Sequence, residues 1–394
     1  MTGRNRGATS VPERLAIFAV AAPGLEPVVA AELEALGIAG SIREGGVEWE
    51  GTREELYAAN LWLRTATRVL VRLGAFRARA FYELERHARR LPWERVLTPG
   101  RAVRLRVSSR RSRLYHERAI AERFLEAIER KVGRLGATAV QGAEEEDGGG
   151  DAQLIVVRFF EDRCLVSADS SGELLHRRGY RQAVAKAPLR ETLAAAMLLA
   201  SGWHGQAPLV DPLCGSGTIP IEAALIARRI APGLANAART PRRYAFQEWP
   251  DYDAGLWARA VERAAEQILP ASPVPLHGSD RNGGAIRAAR GNAERAGVLS
   301  DVTLVVRPLS TLEPPEGPGW LVTNPPYGVR VGERATLGDL YASLGDIARR
   351  KLPGWTLALL SPDRRLDAQL GLELAEAFRT RTGGLAVRLL VGKV

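Results

Sequence analysis

The sequence predicts an α/β protein, with a doubly wound, mostly parallel sheet over residues 188–394 and smaller α+β units before it. Three observations predict this. Short apolar runs of strand length alternate with helically periodic segments through 188–394, the pattern of a sheet with helices on both faces. Two of these runs, Pro208-Leu209-Val210 and Trp320-Leu321-Val322-Thr323, lead straight into Asp211-Pro212-Leu213-Cys214-Gly215-Ser216-Gly217-Thr218 and Asn324-Pro325-Pro326-Tyr327-Gly328. Ligands of open α/β sheets bind outside the carboxyl ends of the strands, so both motifs should face one crevice. Finally, 394 residues with 46% hydrophobic content suit two or three globular domains with real cores.

Residues 1–13 carry no apolar signal core and read as a flexible cytoplasmic tail. The unit expected at 14–66 opens with the apolar run 15–22. Residues 25–36 then place Leu25, Val28 or Val29, Leu33 and Leu36 at helical spacing, and Gly37 suits the position after the helix. A strand around Val47-Glu48-Trp49 and a helix over 54–63 complete a small ferredoxin-like unit.

The next unit, 67–170, is basic. The chain carries +10 overall, yet residues 68–134 hold 19 Lys+Arg against 7 Asp+Glu, leaving the remainder near −2. A general arginine bias would not localise charge in this way, whereas a polyanion partner would. Residues 102–107 alternate apolar residues with arginine, as a half-exposed strand does, and Ile120, Phe124 and Ile128 mark one face of a helix. Between them runs Ser108-Ser109-Arg110-Arg111-Ser112-Arg113, followed by Tyr115 and His116. Arginines, hydroxyls and a nearby helix N-terminus make a phosphate cradle; the plain alternative is a solvated loop. Residues 142–151, acidic and glycine-rich, read as a mobile loop, and 154–160 with 164–168 as a hairpin.

A linker at 171–187 leads into the last unit. The expected order there is helix 188–201, strand 208–211, helix 218–229, strand 274–279, helix 284–296, strands 302–306 and 320–323, helix 337–351 and strand 356–360. Pro188 suits a first helical turn and Gly202 a helix end. No internal repeat is evident, and no apolar stretch approaches the length of a membrane span. The two cysteines, Cys164 and Cys214, lie in a strand and in the glycine loop, so neither a disulfide nor a metal framework is expected.

After Asp211 the chain must turn sharply into a helix. Gly215 and Gly217 permit the turn and let the backbone approach a ligand. A helix starting near Thr218 offers free N–H groups and a positive dipole end to a carboxylate, such as that of a methionine moiety. No Gly-Lys-Ser/Thr follows, which removes a P-loop; the glycines alone would also suit a dinucleotide. Asp280 ends the next strand in Gly278-Ser279-Asp280 and can accept from ribose hydroxyls. Its alternative is an N-cap role, which Asn282, just past Arg281, could fill instead. Asp280 lies 69 residues after Asp211, against a usual spacing of about 20. The excess implies an insertion at 228–273 around Trp249-Pro250-Asp251-Tyr252-Asp253.

The second motif suits a planar amino group. An exocyclic amine on a base is a poor nucleophile because its lone pair is delocalised into the ring. The Asn324 side-chain oxygen and the Pro325 carbonyl could accept its hydrogens and help localise the lone pair. Pro325 and Pro326 fix the backbone that presents these acceptors. Tyr327 offers a stacking face, worth about 1–3 kcal/mol per base in single-strand sites. The alternative is a tight turn bearing a surface tyrosine, which the glycine loop and Asp280, in the right order upstream, disfavour.

With these residues in place the chain resembles class I S-adenosylmethionine-dependent amino-methyltransferases, whose motifs DPLCGSGT, GSD and NPPYG match. LHRRGYR (175–181), APLRETLAAA (187–196), the Trp249-Pro250-Asp251 insertion and SRLYHE (112–117) look like the bacterial 23S rRNA guanine-N2 methyltransferases that carry a THUMP domain. The resemblance runs from about residue 15 onward. It implies a ferredoxin-like unit, a THUMP RNA-binding domain over 67–170 and a Rossmann-like catalytic domain over 188–394. S-adenosylmethionine would be held by Asp211, Pro212, Cys214, Gly215, Ser216, Gly217, Thr218, Asp280, Arg281 and Asn282. Asn324, Pro325, Pro326 and Tyr327 would serve catalysis, and Arg110, Arg111, Arg113, Tyr115 and His116 would contact structured RNA. No metal, membrane or obligate protein partner is implied. The chain departs from the family at Pro308, where an acid is usual. It also ends after one catalytic domain, where some members continue into a second.

A tRNA enzyme with the same plan is the nearest alternative. A DNA adenine amino-methyltransferase shares the Asn-Pro-Pro-Tyr motif but would place a target-recognition domain between catalytic motifs. A protein glutamine methyltransferase would leave the basic segment without a role. A noncatalytic RNA-binding factor would have no use for Asp211, Gly215, Gly217, Asp280 and Asn324 together.

Overall fold

The computed structural model describes residues 14–141, 151–182, 189–326 and 334–394. The expected tail, most of the acidic stretch, Pro188, Tyr327 and Gly328 lie outside the described residues.

Two sheets organise the chain. The first is built from β1 (Leu15–Val20), β2 (Ser41–Arg43), β3 (Gly46–Gly51), β4 (Arg68–Arg77), β5 (Val103–Arg110), β6 (Thr138–Gln141), β7 (Gln153–Phe160) and β8 (Arg163–Asp169). They run in the order β2-β3-β1-β4-β8-β7-β5-β6. Strand β4 pairs with β1 on one side and β8 on the other. The ferredoxin-like unit and the basic unit, expected to part at residue 66, therefore share one sheet.

Helices α1 (Glu26–Ala35), α2 (Arg53–Trp62), α3 (Phe81–Ala88) and α4 (Glu117–Val132) accompany this sheet. Helix α1 has a proline in its first turn, and Gly37 follows it at φ 76°, as the sequence suggests. Helix α2 starts in a capping box, with the Thr52 hydroxyl accepting from the Glu55 N–H and the Glu55 carboxylate accepting from the Thr52 N–H. Its buried face carries Leu56, Tyr57 and Leu61.

The second sheet follows α5 (Glu191–Ala200). Its strands are β9 (Leu209–Asp211), β10 (Leu276–Asp280), β11 (Thr303–Val306), β12 (Trp320–Thr323), β13 (Thr356–Ser361), β14 (Ala375–Thr382) and β15 (Leu385–Lys393). The order is β11-β10-β9-β12-β13-β15-β14, parallel except at β15. Helices α6 (Thr218–Ala227), α7 (Ala254–Glu266), α8 (Gly283–Arg295), α9 (Arg334–Lys351) and α10 (Arg364–Gln369) complete this half. Successive residues of the central strands join opposite cores. Leu209, Val322 and Ala358 enter one cluster with α6 and α8, and Val210, Leu321 and Leu357 enter another with Tyr341, Leu344 and Ile347 of α9. Burial on both faces is why these strands read as continuous apolar runs.

The insertion between α6 and β10 joins the halves. Phe246 stacks on Tyr57 of α2 with ring centroids 4.4 Å apart. Asp251 takes a 2.7 Å hydrogen bond from Arg53, and the Asp253 N–H donates to the Tyr57 hydroxyl at 3.0 Å. The Trp249 indole N–H donates to Gln153 of β7 at 2.7 Å. The segment before α5 adds a buried polar joint. Arg178 reaches the Arg64 carbonyl at 2.5 Å and faces Glu222 of α6, which accepts from the Tyr180 hydroxyl at 2.9 Å. Among the described residues no helix is long and apolar enough to cross a membrane.

Candidate active site

Strand order reverses between β9 and β12. From β9 the chain winds outward through β10 and β11, then returns to the other side of β9 as β12. Such a switch point opens a crevice at the carboxyl ends of the strands, and both sequence motifs sit there. Asp211 ends β9, and Asn324 follows β12. A hydrogen bond ties the two strand ends: the Thr323 hydroxyl, last in β12, donates to Asp211 Oδ1 at 2.7 Å. Sequence reasoning does not single out Thr323; its signal is a hydroxyl closing an otherwise apolar strand.

Asp211 is 1% exposed. Its Oδ1 also lies 3.2 Å from the Leu213 N–H. Burial still outweighs these bonds and pushes its carboxyl up to about 7, with the charge of Asp280 adding to the rise. The loop beyond folds on itself, the Gly217 N–H donating to the Cys214 carbonyl at 2.8 Å and the Cys214 N–H to the Ser279 carbonyl of β10 at 2.9 Å. Asn292 of α8, which no motif marks either, donates to the Ser216 carbonyl at 3.0 Å. Pro212, Ser216 and Thr218 are buried in this turn. Burial raises the Cys214 thiol well above its ordinary value, so it stays a neutral packing group.

Two glycines make the turn. Gly217 lies at φ 84°, and a Cβ there would stand 2.9 Å from the Ala289 Cβ of α8. Gly215 lies at φ 54°, with nothing within 4 Å of such a Cβ, so the space beside it is open. Helix α6 starts on Gly217 without a side-chain cap, whereas α8 is capped by Asn282, whose Oδ1 accepts from Gly284 and Ala285. Asn282 thus takes the capping role and leaves Asp280 to the loop. Asp280 accepts from the Gly215 N–H at 3.1 Å and the Asn282 N–H at 2.8 Å. Arg281 is exposed beside it. Pro308, at the place of the expected acid, only starts a short 3-10 turn. The nearer neighbour is Val306, the register partner of Asp280 and 59% exposed. On the other side of the crevice Asn324 is half-buried, Pro325 buried and Pro326 exposed.

An uncapped helix start, an open glycine turn and a carboxylate at the next strand end fit the amino-acid, sulfonium and ribose parts of S-adenosylmethionine. Residues 178–389 match the RMKL-like methyltransferase domain family, and residues 16–70 match the RlmL ferredoxin-like domain. The chain belongs to the RMKL-like methyltransferase family. A Synechocystis protein named provisionally as an RNA methyltransferase is 35% identical over 95% of both chains. The ribosomal RNA large subunit methyltransferase K/L of Syntrophotalea carbinolica is 37% identical over 95% of this chain and 53% of its own length. That of Methylococcus capsulatus is 35% identical over 95% of this chain and 50% of its own length. The chain therefore spans about half the length of these K/L relatives.

Among solved structures, a protein named provisionally as a methyltransferase, complexed with S-adenosylhomocysteine, superposes with TM-score 0.85 at 31% identity, covering 97% of this chain and 99% of that one. A Listeria monocytogenes protein named provisionally as an N6-adenine-specific DNA methylase gives 0.82 at 31% identity and 96% of both chains. As a member of this family the chain is a methyltransferase that uses S-adenosylmethionine.

The loop bearing the basic residues lies far along the chain, between β5 and α4. Arg110, the last residue of β5, and Arg111, Arg113, Tyr115 and His116 of the loop are all exposed. The serines of the expected cradle serve the loop itself: Ser109 donates to the Leu114 carbonyl at 2.5 Å and Ser112 to the Arg110 carbonyl at 3.0 Å.

Proposed function

We propose that this chain transfers a methyl group from S-adenosylmethionine to the exocyclic N2 of a guanine in structured RNA, with large-subunit ribosomal RNA as the favoured substrate. The observation that carries this reading is the convergence of the Asp211–Thr218 loop and Asn324-Pro325-Pro326 at one switch point, tied by Thr323. In this arrangement Asn324 Oδ1 and the Pro325 carbonyl accept the two amine hydrogens and aim the nitrogen at the methyl group. The protein contributes alignment and electrostatic preorganisation. The Asp280 carboxylate takes the ribose hydroxyls. Exposed Val306 flanks the adenine in place of the missing acid. Tyr327, after the prolines, stacks on the target base, as the motif implies.

The RNA half of the reading rests on the basic β4–β8 segment, read as a THUMP domain with Arg110, Arg111, Arg113, Tyr115 and His116 toward RNA, and on the names of the K/L relatives. It places the enzyme in the cytoplasm. A tRNA guanine is the nearest alternative substrate. The name of the Listeria protein favours a second reading, adenine in DNA, because the Asn-Pro-Pro-Tyr motif accepts either amine. Substitution Asn324→Ala tests the acceptor role: turnover should fall at least about a hundredfold, on the order of one lost oxyanion-type donor, while calorimetry shows unchanged donor affinity. A variant turning over at the normal rate would remove Asn324 from the chemistry.

A further inference from the structure

One end of the first sheet carries a cross-strand row of exposed arginines around an aromatic ring. In register across four neighbouring strands stand Arg110 of β5, Phe160 of β7, Arg163 of β8 and Arg77 of β4. Register partners point to the same face of a sheet. All four are exposed, and Phe160 is 52% exposed. Arg163 and Arg77 face each other directly, a like-charge pairing that destabilises a sheet. One row inward on the same face, Arg158 is exposed as well.

The turn beside this row is strained. Glu161 and Asp162 connect β7 to β8 at φ 50° and 62°, and Arg111 across from them lies at φ 50°. Three of the five non-glycine residues with positive φ among the described residues gather here, where asparagine and glycine would be at ease. The turn is held by its own carboxylate. Asp162 Oδ1 accepts from the Arg113 N–H at 2.8 Å and Oδ2 from the Arg79 guanidinium at 3.1 Å, while the Asp162 N–H donates to the Ser112 hydroxyl at 3.0 Å. Three segments, 77–83, 110–116 and 160–163, are thereby fixed against one another. The Arg111 guanidinium stands 5.8 Å from the Phe160 ring centroid and 3.8 Å from Glu161. Backbone strain of this kind gathers at ligand-binding sites, and here it supports an exposed aromatic ring flanked by arginines.

We infer that this row is a platform for an unpaired stretch of RNA, with one base stacked on Phe160 and adjoining phosphates on Arg77, Arg110 and Arg163. The inference deepens the RNA reading above and rests on it. An exposed ring between positive charges suits a splayed-out base with its backbone, whereas duplex RNA keeps its bases stacked inside the helix. The platform would hold a loop or single strand of the substrate while the target base occupies the crevice of the second sheet.

The test uses the full chain, labelled single-stranded oligoribonucleotides and a blunt duplex of the same sequence. Phe160→Ala and Phe160→Leu should each weaken single-strand binding by about fivefold to a hundredfold, Phe160→Trp should retain it, and duplex binding should stay unchanged. Arg77→Gln and Arg163→Gln should each lower the slope of log affinity against log salt by about 0.7. Retention in Phe160→Trp separates stacking from damage to the fold. Equal losses on single strand and duplex, or no loss in Phe160→Ala, would overturn the platform. Methyl transfer by the wild-type chain to RNA separates the two readings. Transfer without a Phe160 effect removes the platform alone, and a chain that neither binds nor methylates RNA removes both.

Discussion

At the scale of residues, Asp211 couples the glycine loop to the Asn-Pro-Pro motif through its hydrogen bond with Thr323. Its pH behaviour follows from burial. In the unfolded chain its carboxyl titrates near the ordinary 3.8, and in the fold near 7. Below the unfolded value both states hold the proton and folding is not penalised. As pH rises between the two values the unfolded chain gives up the proton first, so stability falls until both have ionised. The loss is on the order of a few kcal/mol. Asp211→Asn cannot ionise and keeps an oxygen for Thr323 and Leu213. It should therefore lack this decline and be the more stable protein at about pH 8, by urea denaturation without donor. Equal pH slopes for both proteins would contradict the account. Asp211, Asp280, Asn282 and Asn324 stand out in the sequence because each closes a strand, directly follows one or opens a helix at a recognisable motif. Thr323 and Asn292 are not, since their partners are fixed only when β9 meets β12 and α8 meets the loop.

At the scale of elements, the packing of α6 on α8 depends on Gly217, while Gly215 borders open space. Both have positive φ, which costs an ordinary side chain roughly 1–2 kcal/mol. Gly217→Ala adds a collision with Ala289. It should lower the melting temperature clearly more than Gly215→Ala and push the loop off its donor-binding shape; equal shifts would mean that α6 and α8 do not constrain the turn. The expected strands and helices of the catalytic half reappear within a few residues, Trp320–Thr323 without change and the first helix three residues later, at Glu191. Doubly buried strands leave unbroken apolar runs, which are easy to see. The hairpin β14–β15 escapes sequence reading, although Gly383-Gly384 marks its turn, because β14 exposes most of its residues and alternates them with arginine and threonine. Helix α7 is hidden inside the insertion, whose role emerges only once Phe246, Asp251 and Asp253 are seen against α2.

At the scale of the molecule, the halves do not hang from a loose linker. Aromatic stacking on Tyr57, the Arg53–Asp251 pair and the buried Arg178–Glu222–Tyr180 group fix the basic sheet relative to the crevice. Breaking such a buried ionic group typically costs about 3–5 kcal/mol. The charge asymmetry of 68–134 is legible in the sequence, but its arrangement is not. Continuity through β4, and the row that ends at Phe160, depend on strand register that no local pattern encodes. Under the proposed function, this rigid frame would let RNA bound on one sheet present a base to the crevice of the other. The most direct test is transfer of labelled methyl from S-adenosylmethionine to undermodified ribosomal RNA, tRNA and DNA, followed by nucleoside mass spectrometry. The expected result is N2-methylguanosine in RNA, foremost ribosomal RNA, and its loss in Asn324→Ala. Methyladenine in DNA, with no label in RNA, would contradict it.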